Sequence, residues 1–173
     1  MAKTVYNLLR KEQGEAGEYL DQLATRSPGL AAKDQLKTGA APDATRIPII
    51  TIPDIVTARQ HGRELANRYG FSETKITLMA AVISELSRNM ILYAQGGTIS
   101  LGMTNGGSRA GTVIRAEDDG PGIPNLDRVM MGGYSTSGGL GLGLCGVQRI
   151  ADEFRIDTNA GTGTKITVTQ WLA

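Results

Sequence analysis

Ser135-Thr136-Ser137-Gly138-Gly139-Leu140-Gly141-Leu142-Gly143-Leu144-Cys145-Gly146 is the stretch whose reading decides the fold. Gly141 to Gly146 has the spacing G-x-G-x-x-G. In a dinucleotide-binding fold that pattern follows a strand directly, opens a helix and stands about twenty residues before an acid. Ser135-Thr136-Ser137 is no strand, and the segments after the next helical pattern read as a hairpin, not as a further βαβ unit. The dinucleotide reading therefore fails. A P-loop fails too, because no G-K-[ST] occurs anywhere in the chain. What remains is a glycine run opening a helix from Gly143 to about Ala151, and the free N–H groups and dipole of such a helix start form an anion site.

Upstream of that run, Thr98 to Thr104 and Thr112 to Glu117 read as two strands joined by a hairpin loop from Asn105 to Gly111. Downstream, Phe154 to Asn159 and Thr164 to Trp171 read as two more strands around Ala160-Gly161-Thr162-Gly163. Ile47 to Ile52 is a short apolar strand, and Pro48 assigns it to a sheet edge. Asp54 is placed to cap a helix running to about Tyr69, with Gly70 to end it, and Ser72 to cap a longer one to about Ala94. In that longer helix Ile76, Met79, Ala80, Ile83, Leu86, Met90 and Tyr93 keep helical spacing. A short helical turn is expected near Leu126 to Met131. Consecutive strands at the end predict α+β with antiparallel pairing.

The first 45 residues differ. Val5, Leu8, Leu9, Ala16, Leu20 and Leu23 fit an amphipathic helix from Thr4 to about Ala24, weakened by Gly14 and Gly17, and Ser27 to Thr45 reads as a linker. The chain thus divides into an extension, 1–45, and a domain, 46–173.

Composition narrows the function. A net charge of +1 carries no footprint for nucleic acid or a membrane surface. No apolar run reaches the ~18 residues of a membrane span, and Met1 to Arg10 lacks the charged-then-apolar order of a secretory signal, so a cytoplasmic location is expected. A single cysteine, Cys145, excludes an internal disulfide and a cysteine-built zinc cluster. His61, the only histidine, stands among Arg59, Gln60 and Arg63 and reads as a surface residue. Of 23 glycines, 17 lie between Gly96 and Gly163, which points to backbone that comes close to a ligand as well as to turns.

Two segments carry chemistry. In Glu85-Leu86-Ser87-Arg88-Asn89, Glu85 and Asn89 stand one turn apart on one helix face, bordered by Arg88, while Ile83, Leu86 and Met90 face the core. The Asn89 carbonyl is a hard oxygen ligand suited to Mg²⁺, which keeps waters and substrate phosphates. In Asp118-Asp119-Gly120-Pro121-Gly122-Ile123, a carboxylate at a strand end can accept from an exocyclic amino group, and the two glycines let a flat base lie against the backbone. The same residues also fit an acidic β-turn.

In this order the segments resemble the GHKL ATPase family, which uses the Bergerat fold. Glu85 to Asn89 is similar to its N box, Asp118-x-Gly120-x-Gly122 to its first glycine box, Gly139-x-Gly141-x-Gly143 to the second, and Gly161-Thr162-Gly163-Thr164 to the last. The segments from Ile55 to Gln60, Ile83 to Asn89, Gly133 to Gly141, and the C-terminal run from Asp152 to Leu172 look like the RsbT-type serine/threonine kinases of the stressosome. The likeness covers roughly Arg46 to Ala173.

The resemblance implies a two-layer α/β sandwich with a mixed, mainly antiparallel sheet, helices on one face and an ATP lid from Pro124 to Gly138. It implies Mg·ATP-dependent phosphorylation of serine or threonine on STAS-domain scaffold or antagonist proteins, followed by release and activation of a PP2C-type phosphatase through its regulatory domain. Carried over by motif, Glu85 and Arg88 are the catalytic pair and Asn89 the Mg²⁺ ligand. Nucleotide contacts come from Asn89, Asp118, Gly120, Gly122, Ile123, Ser135, Thr136, Ser137, Gly139, Gly141, Leu142, Gly143, Leu144 and Thr164. Two relatives with the same nucleotide site are alternatives: an anti-sigma factor kinase, and a non-catalytic ATP-gated switch, which intact Glu85 and Asn89 disfavour. A sensor histidine kinase requires a phosphoacceptor histidine on a dimerising hairpin, a setting His61 lacks.

Overall fold

A computed structural model of the chain describes residues 44–106, 109–130 and 143–172. The helix expected over Thr4 to Ala24 and the linker after it lie outside the described residues, as do Ser135, Thr136, Ser137, Gly139, Gly141 and Leu142. The elements are β1 (Thr45–Ile49), α1 (Ile52–Arg68), α2 (Glu73–Tyr93), β2 (Gly97–Gly106), β3 (Arg109–Asp118), α3 (Leu126–Met130), α4 (Gly143–Ile150), β4 (Glu153–Thr158) and β5 (Thr164–Trp171).

The helix ends follow from local chemistry, with one correction. α1 begins before the expected cap: Thr51 is the N-cap and Asp54 the third helical residue. Pro53 fits the first turn, where its missing N–H would have found no intrahelical partner. The Asp54 carboxylate then accepts from the backbone N–H of Thr51 (2.7 Å) and Ile50 (3.0 Å) and from the Thr51 hydroxyl (2.8 Å). At the other end Gly70 adopts φ +77°, and the N–H groups of Gly70 and Phe71 turn back onto the carbonyls of Asn67 and Ala66. Ser72 caps α2 as expected, accepting from the Lys75 N–H at 3.3 Å. α2 stops where Gln95 and Gly96 take positive φ.

The five strands form one sheet in the order β1-β2-β3-β5-β4, with every pairing antiparallel. β1 is an edge strand, as Pro48 required. The β2–β3 hairpin is longer than its sequence suggests. Pairing continues from Asn105↔Ala110 to Gly106↔Arg109, so residues read as loop belong to the ladder. Gly111, part of the expected loop, is in the strand because a Cβ there would lie 2.6 Å from the Trp171 ring. β5 enters between β3 and β4, which brings the end of β3 beside the start of β5: Asp118 faces Thr164.

One face of the sheet carries the helices. Ile47, Ile49, Ile99, Leu101, Ile114, Ala116, Ile166 and Val168 meet Ile76, Met79, Ile83, Leu86 and Met90 of α2, Ala58 and Ala66 of α1, and Leu144 and Val147 of α4 in one core. Tyr93, in register with the α2 stripe, is nonetheless 54% exposed.

Two carboxylates make stability acid-sensitive. Backbone hydrogen bonds from Thr51 and Ile50 hold Asp54 below the ordinary 3.8. The hydrogen bond from Lys165, with the Arg46 and Arg115 charges behind it, holds Glu117 below 4.5. A depressed carboxylate contributes stability above its unfolded pKa and loses it as pH falls through the folded one. Melting temperature should therefore drop as pH is lowered below about 4.5. The variant Asp54→Asn/Glu117→Gln should start lower at pH 7 and show a flatter profile between pH 5 and 3, as followed by circular dichroism.

Candidate functional site

α2 sets the first half of the site. Its register turns Ile83, Leu86 and Met90 into the core and leaves Glu85, Arg88 and Asn89 along one border of that stripe. Glu85 is not a solvated surface acid: it is 7% exposed, and Arg88 Nη1 donates to its Oε2 at 3.0 Å. A buried carboxylate is tolerable when it is paired and hydrogen-bonded. Asn89 is half-buried one turn on, and its amide has no hydrogen-bond partner among the described residues.

α1 adds a basic group that sequence reading left unassigned. Burial, and then the charges of Arg63 and Arg88, push the Arg59 guanidinium below the ordinary arginine range. Arg59, Arg63 and Arg88 therefore concentrate positive charge beside Glu85. The signal available was the i, i+4 spacing of Arg59 and Arg63, which on α1 stacks them on one face.

The second half lies at the exit of β3. Asp118 Oδ1 accepts from the Gly120 N–H at 2.9 Å, shaping the turn that the Asp-Gly sequence suggested. Thr158 Oγ1 then ties three segments together. It receives the Ile123 N–H at 3.0 Å, donates to the Gly163 carbonyl, and lies 3.2 Å from Thr164 Oγ1. The Gly161 N–H reaches the Pro121 carbonyl at 2.8 Å. Asp118, Gly120, Gly122, Ile123 and Thr164 are thus brought together, with the β4–β5 turn as their floor.

The glycines here have a structural duty besides any ligand contact. A Cβ on Gly122 (φ +71°) would collide with the Asn159 carbonyl, and one on Gly163 (φ +83°) with the Asp118 carbonyl. A Cβ on Gly120 would lie 2.5 Å from the Ala94 Cβ. Backbone packing thus requires a glycine at both positions, independently of any flat base expected against them. Gly120 also locks the Asp118 turn to the end of α2, which joins the two halves of the site.

Gly143 and Leu144 open α4, and the other residues of that glycine box lie outside the described residues. Among the described residues nothing comes within 4 Å of a Cβ built on Gly143. The Leu144 side chain is 6% exposed and belongs to the core, so only its backbone can meet an anion. A cavity of about 470 Å³ at the sheet end is lined by Asp118, Asp119 and Thr164 together with Arg46, Glu117 and Lys165 from the other sheet face; Glu85, Arg88 and Asn89 do not line it. His61 is exposed on α1, as expected. No cluster of three or more His, Cys, Asp or Glu that could cage a metal occurs among the described residues.

Residues 74–173 match the family of histidine kinase-, DNA gyrase B-, and HSP90-like ATPases, and the chain belongs to it. Among individual proteins, it is 46% identical over 130 residues to the serine/threonine-protein kinase RsbT of Bacillus subtilis (strain 168), a match spanning 75% of this chain and 98% of that one. Among solved structures, the histidine kinase domain of the Erythrobacter litoralis EL346 blue-light activated histidine kinase aligns at TM-score 0.47 and 18% identity, covering 94% of this chain and 74% of that chain.

The crowding at Gly163 and the open space at Gly143 predict different costs. Gly163→Ala combines a left-handed backbone with a backbone collision and should lose at least about 2 kcal/mol of stability. Gly143→Ala meets only the left-handed penalty, about 1 kcal/mol. Urea denaturation of the two variants checks the order.

Proposed function

We propose that the chain is a Mg·ATP-dependent serine/threonine kinase of stress signalling, acting on STAS-domain scaffold or antagonist proteins and, once released, activating a PP2C-type phosphatase. The observation that carries the reading is the buried Glu85–Arg88 pair one turn from Asn89, on a helix whose end is packed against the Asp118 turn. The 46% identity to a protein named as a serine/threonine kinase, across nearly all of its length, supports the activity.

In this reading Asp118 accepts from the adenine amino group, and Thr164, its cross-strand partner, lies close enough to share a water with it. Gly143 and Leu144 offer backbone N–H groups to the phosphates at the start of α4. The rest of that glycine box, with Ser135, Thr136 and Ser137 in the lid, completes the enclosure and excludes water.

Glu85 accepts the proton of the substrate hydroxyl as its oxygen attacks the γ-phosphorus and ADP leaves. The fixed Arg88 contact holds the carboxylate in position for that step. Arg59 and Arg63 raise the local positive potential for the transferring phosphoryl group, whose transfer depends chiefly on positioning and charge neutralisation.

The donor set fits Mg²⁺. One half-buried amide oxygen, without a competing partner among the described residues, suits an ion held by one or two protein oxygens plus phosphates and water. Asn89 would hold it, and bound there it would neutralise phosphate charge.

Transfer of ³²P from ATP to a purified STAS protein is the test. Wild type should label the partner, and Glu85→Ala and Asn89→Ala should each reduce labelling by at least about a hundredfold. No labelling by wild type, or undiminished labelling by both variants, would defeat the kinase reading. Calorimetry separates binding from transfer: Asp118→Asn should weaken ATP at least about tenfold, whereas Glu85→Ala should leave ATP affinity within about threefold of wild type.

A further inference from the structure

Alternation along the strands gives the sheet two faces. Ile99, Ile114, Ala116, Ile166 and Val168 face the helices and share their core. Ser100, Val113, Thr169 and Trp171 alternate with them and face the other way, outside that core. The described helices pack on the first face, yet the second is dry at its centre. Val113 is 7% exposed, Ser100 8%, Thr169 1% and Trp171 7%. Part of the cover on Trp171 is local: Arg109 stacks over its ring at 4.7 Å, and its Nε1 donates to Glu153 at 3.2 Å. Val113 and Thr169, opposite each other in the middle of the sheet, are not explained by those contacts.

Beside this dry strip runs a basic row. The strand register aligns Arg46, Ser100, Arg115, Thr167 and Arg155 across all five strands on the same face. The face therefore offers a water-excluded strip, with Val113 and Trp171 its apolar members, beside three arginines, of which Arg46 lies 3.8 Å from Glu117 and Arg155 donates to Asp157.

We propose that residues 4–24 of this chain dock on this face as an amphipathic helix, apolar side against Val113 and Thr169 and acidic side toward the arginine row. The segment has matching chemistry: on a helix Val5, Leu8, Leu9, Leu20 and Leu23 share one side, interrupted by Glu12, while Glu15, Glu18 and Asp21 lead away from it, and the four acids outnumber Arg10 and Lys11. It is also tethered in the right place. The chain enters the domain at Thr45, on the edge strand of this sheet. The some twenty residues that the sequence marks as a linker would span about 25 Å as a random coil, and five strands about 4.8 Å apart make a sheet about 19 Å across. Every point of the face is within reach. The match to the Bacillus kinase leaves a quarter of this chain outside it, so the docking segment need not be a general property of the family.

Trp171 is the single tryptophan, so its emission reports on this face alone, whether or not the kinase reading holds. In the full chain, Leu8→Asp/Leu20→Asp should raise acrylamide quenching of Trp171 about threefold at unchanged molar mass. Hydrogen exchange on the unsubstituted chain gives a second readout, in which the amides of residues 4–24 should exchange at least about tenfold more slowly than in a free peptide. Equal quenching in both proteins, or free-peptide exchange over 4–24, overturns the proposal. So does an unsubstituted chain that is dimeric by light scattering and uncovers Trp171 on dilution, an outcome that assigns the face to a second copy.

Discussion

The site depends on one close backbone approach, where the β4–β5 turn closes over the exit of β3. Gly163 sits so near the Asp118 carbonyl that no side chain fits between them. That contact lets β5 start opposite Asp118 and places Thr158, Thr164 and Ile123 around a single hydroxyl. Gly122 against Asn159 repeats the device one turn away. Gly120 against Ala94 carries the constraint across to α2. Three glycines thus serve as spacers of zero width, holding the strand exit, the distal turn and the helix end at fixed separations.

Much of this was legible in the sequence, for identifiable reasons. The alternation in β5 and the spacing in α2 are long enough to declare their period, and Ser72 and Gly70 are unambiguous helix punctuation. The start of α1 misleads because Asp54 is a good cap residue by type, whereas Pro53 and Thr51 together move the true start upstream. The β2–β3 loop misleads because Gly111 reads as a turn residue when its role is to make room for Trp171, sixty positions further along. A single sequence does not reveal that partner. The burial of Glu85 was hidden for a similar reason. A polar stripe on a helix looks the same whether it meets solvent or sits beside a second helix carrying Arg59 and Arg63.

Adjacent residues at the end of β3 are committed to opposite faces. Glu117 joins Lys165 and Arg46 on the helix-free side, and Asp118 joins Thr164 on the other. The cavity at the sheet end touches both residues, so a charge or segment on the helix-free face is separated from the Asp118 carboxylate by the thickness of one strand. Strain or charge introduced there would reach the adenine side of the proposed site without passing through the core. It would have a longer path to Glu85, which does not line that cavity.

The same geometry divides the labour within the proposed site. Asp118 belongs to the sheet and its turn, whose backbone is set by the strand register and the close glycine contacts. Glu85 belongs to a helix and is held by a side-chain pair with Arg88. A rigid acceptor is what selective recognition of an amino group needs, because a misplaced carboxylate forfeits its hydrogen bond and keeps its desolvation cost. A carboxylate positioned by one ion pair, with its second oxygen outside that pair, suits a proton acceptor for the substrate hydroxyl. In the proposed site, binding would therefore reside in the part of the fold fixed by glycine spacers and transfer in the part fixed by an ion pair, with the Ala94–Gly120 contact joining the two.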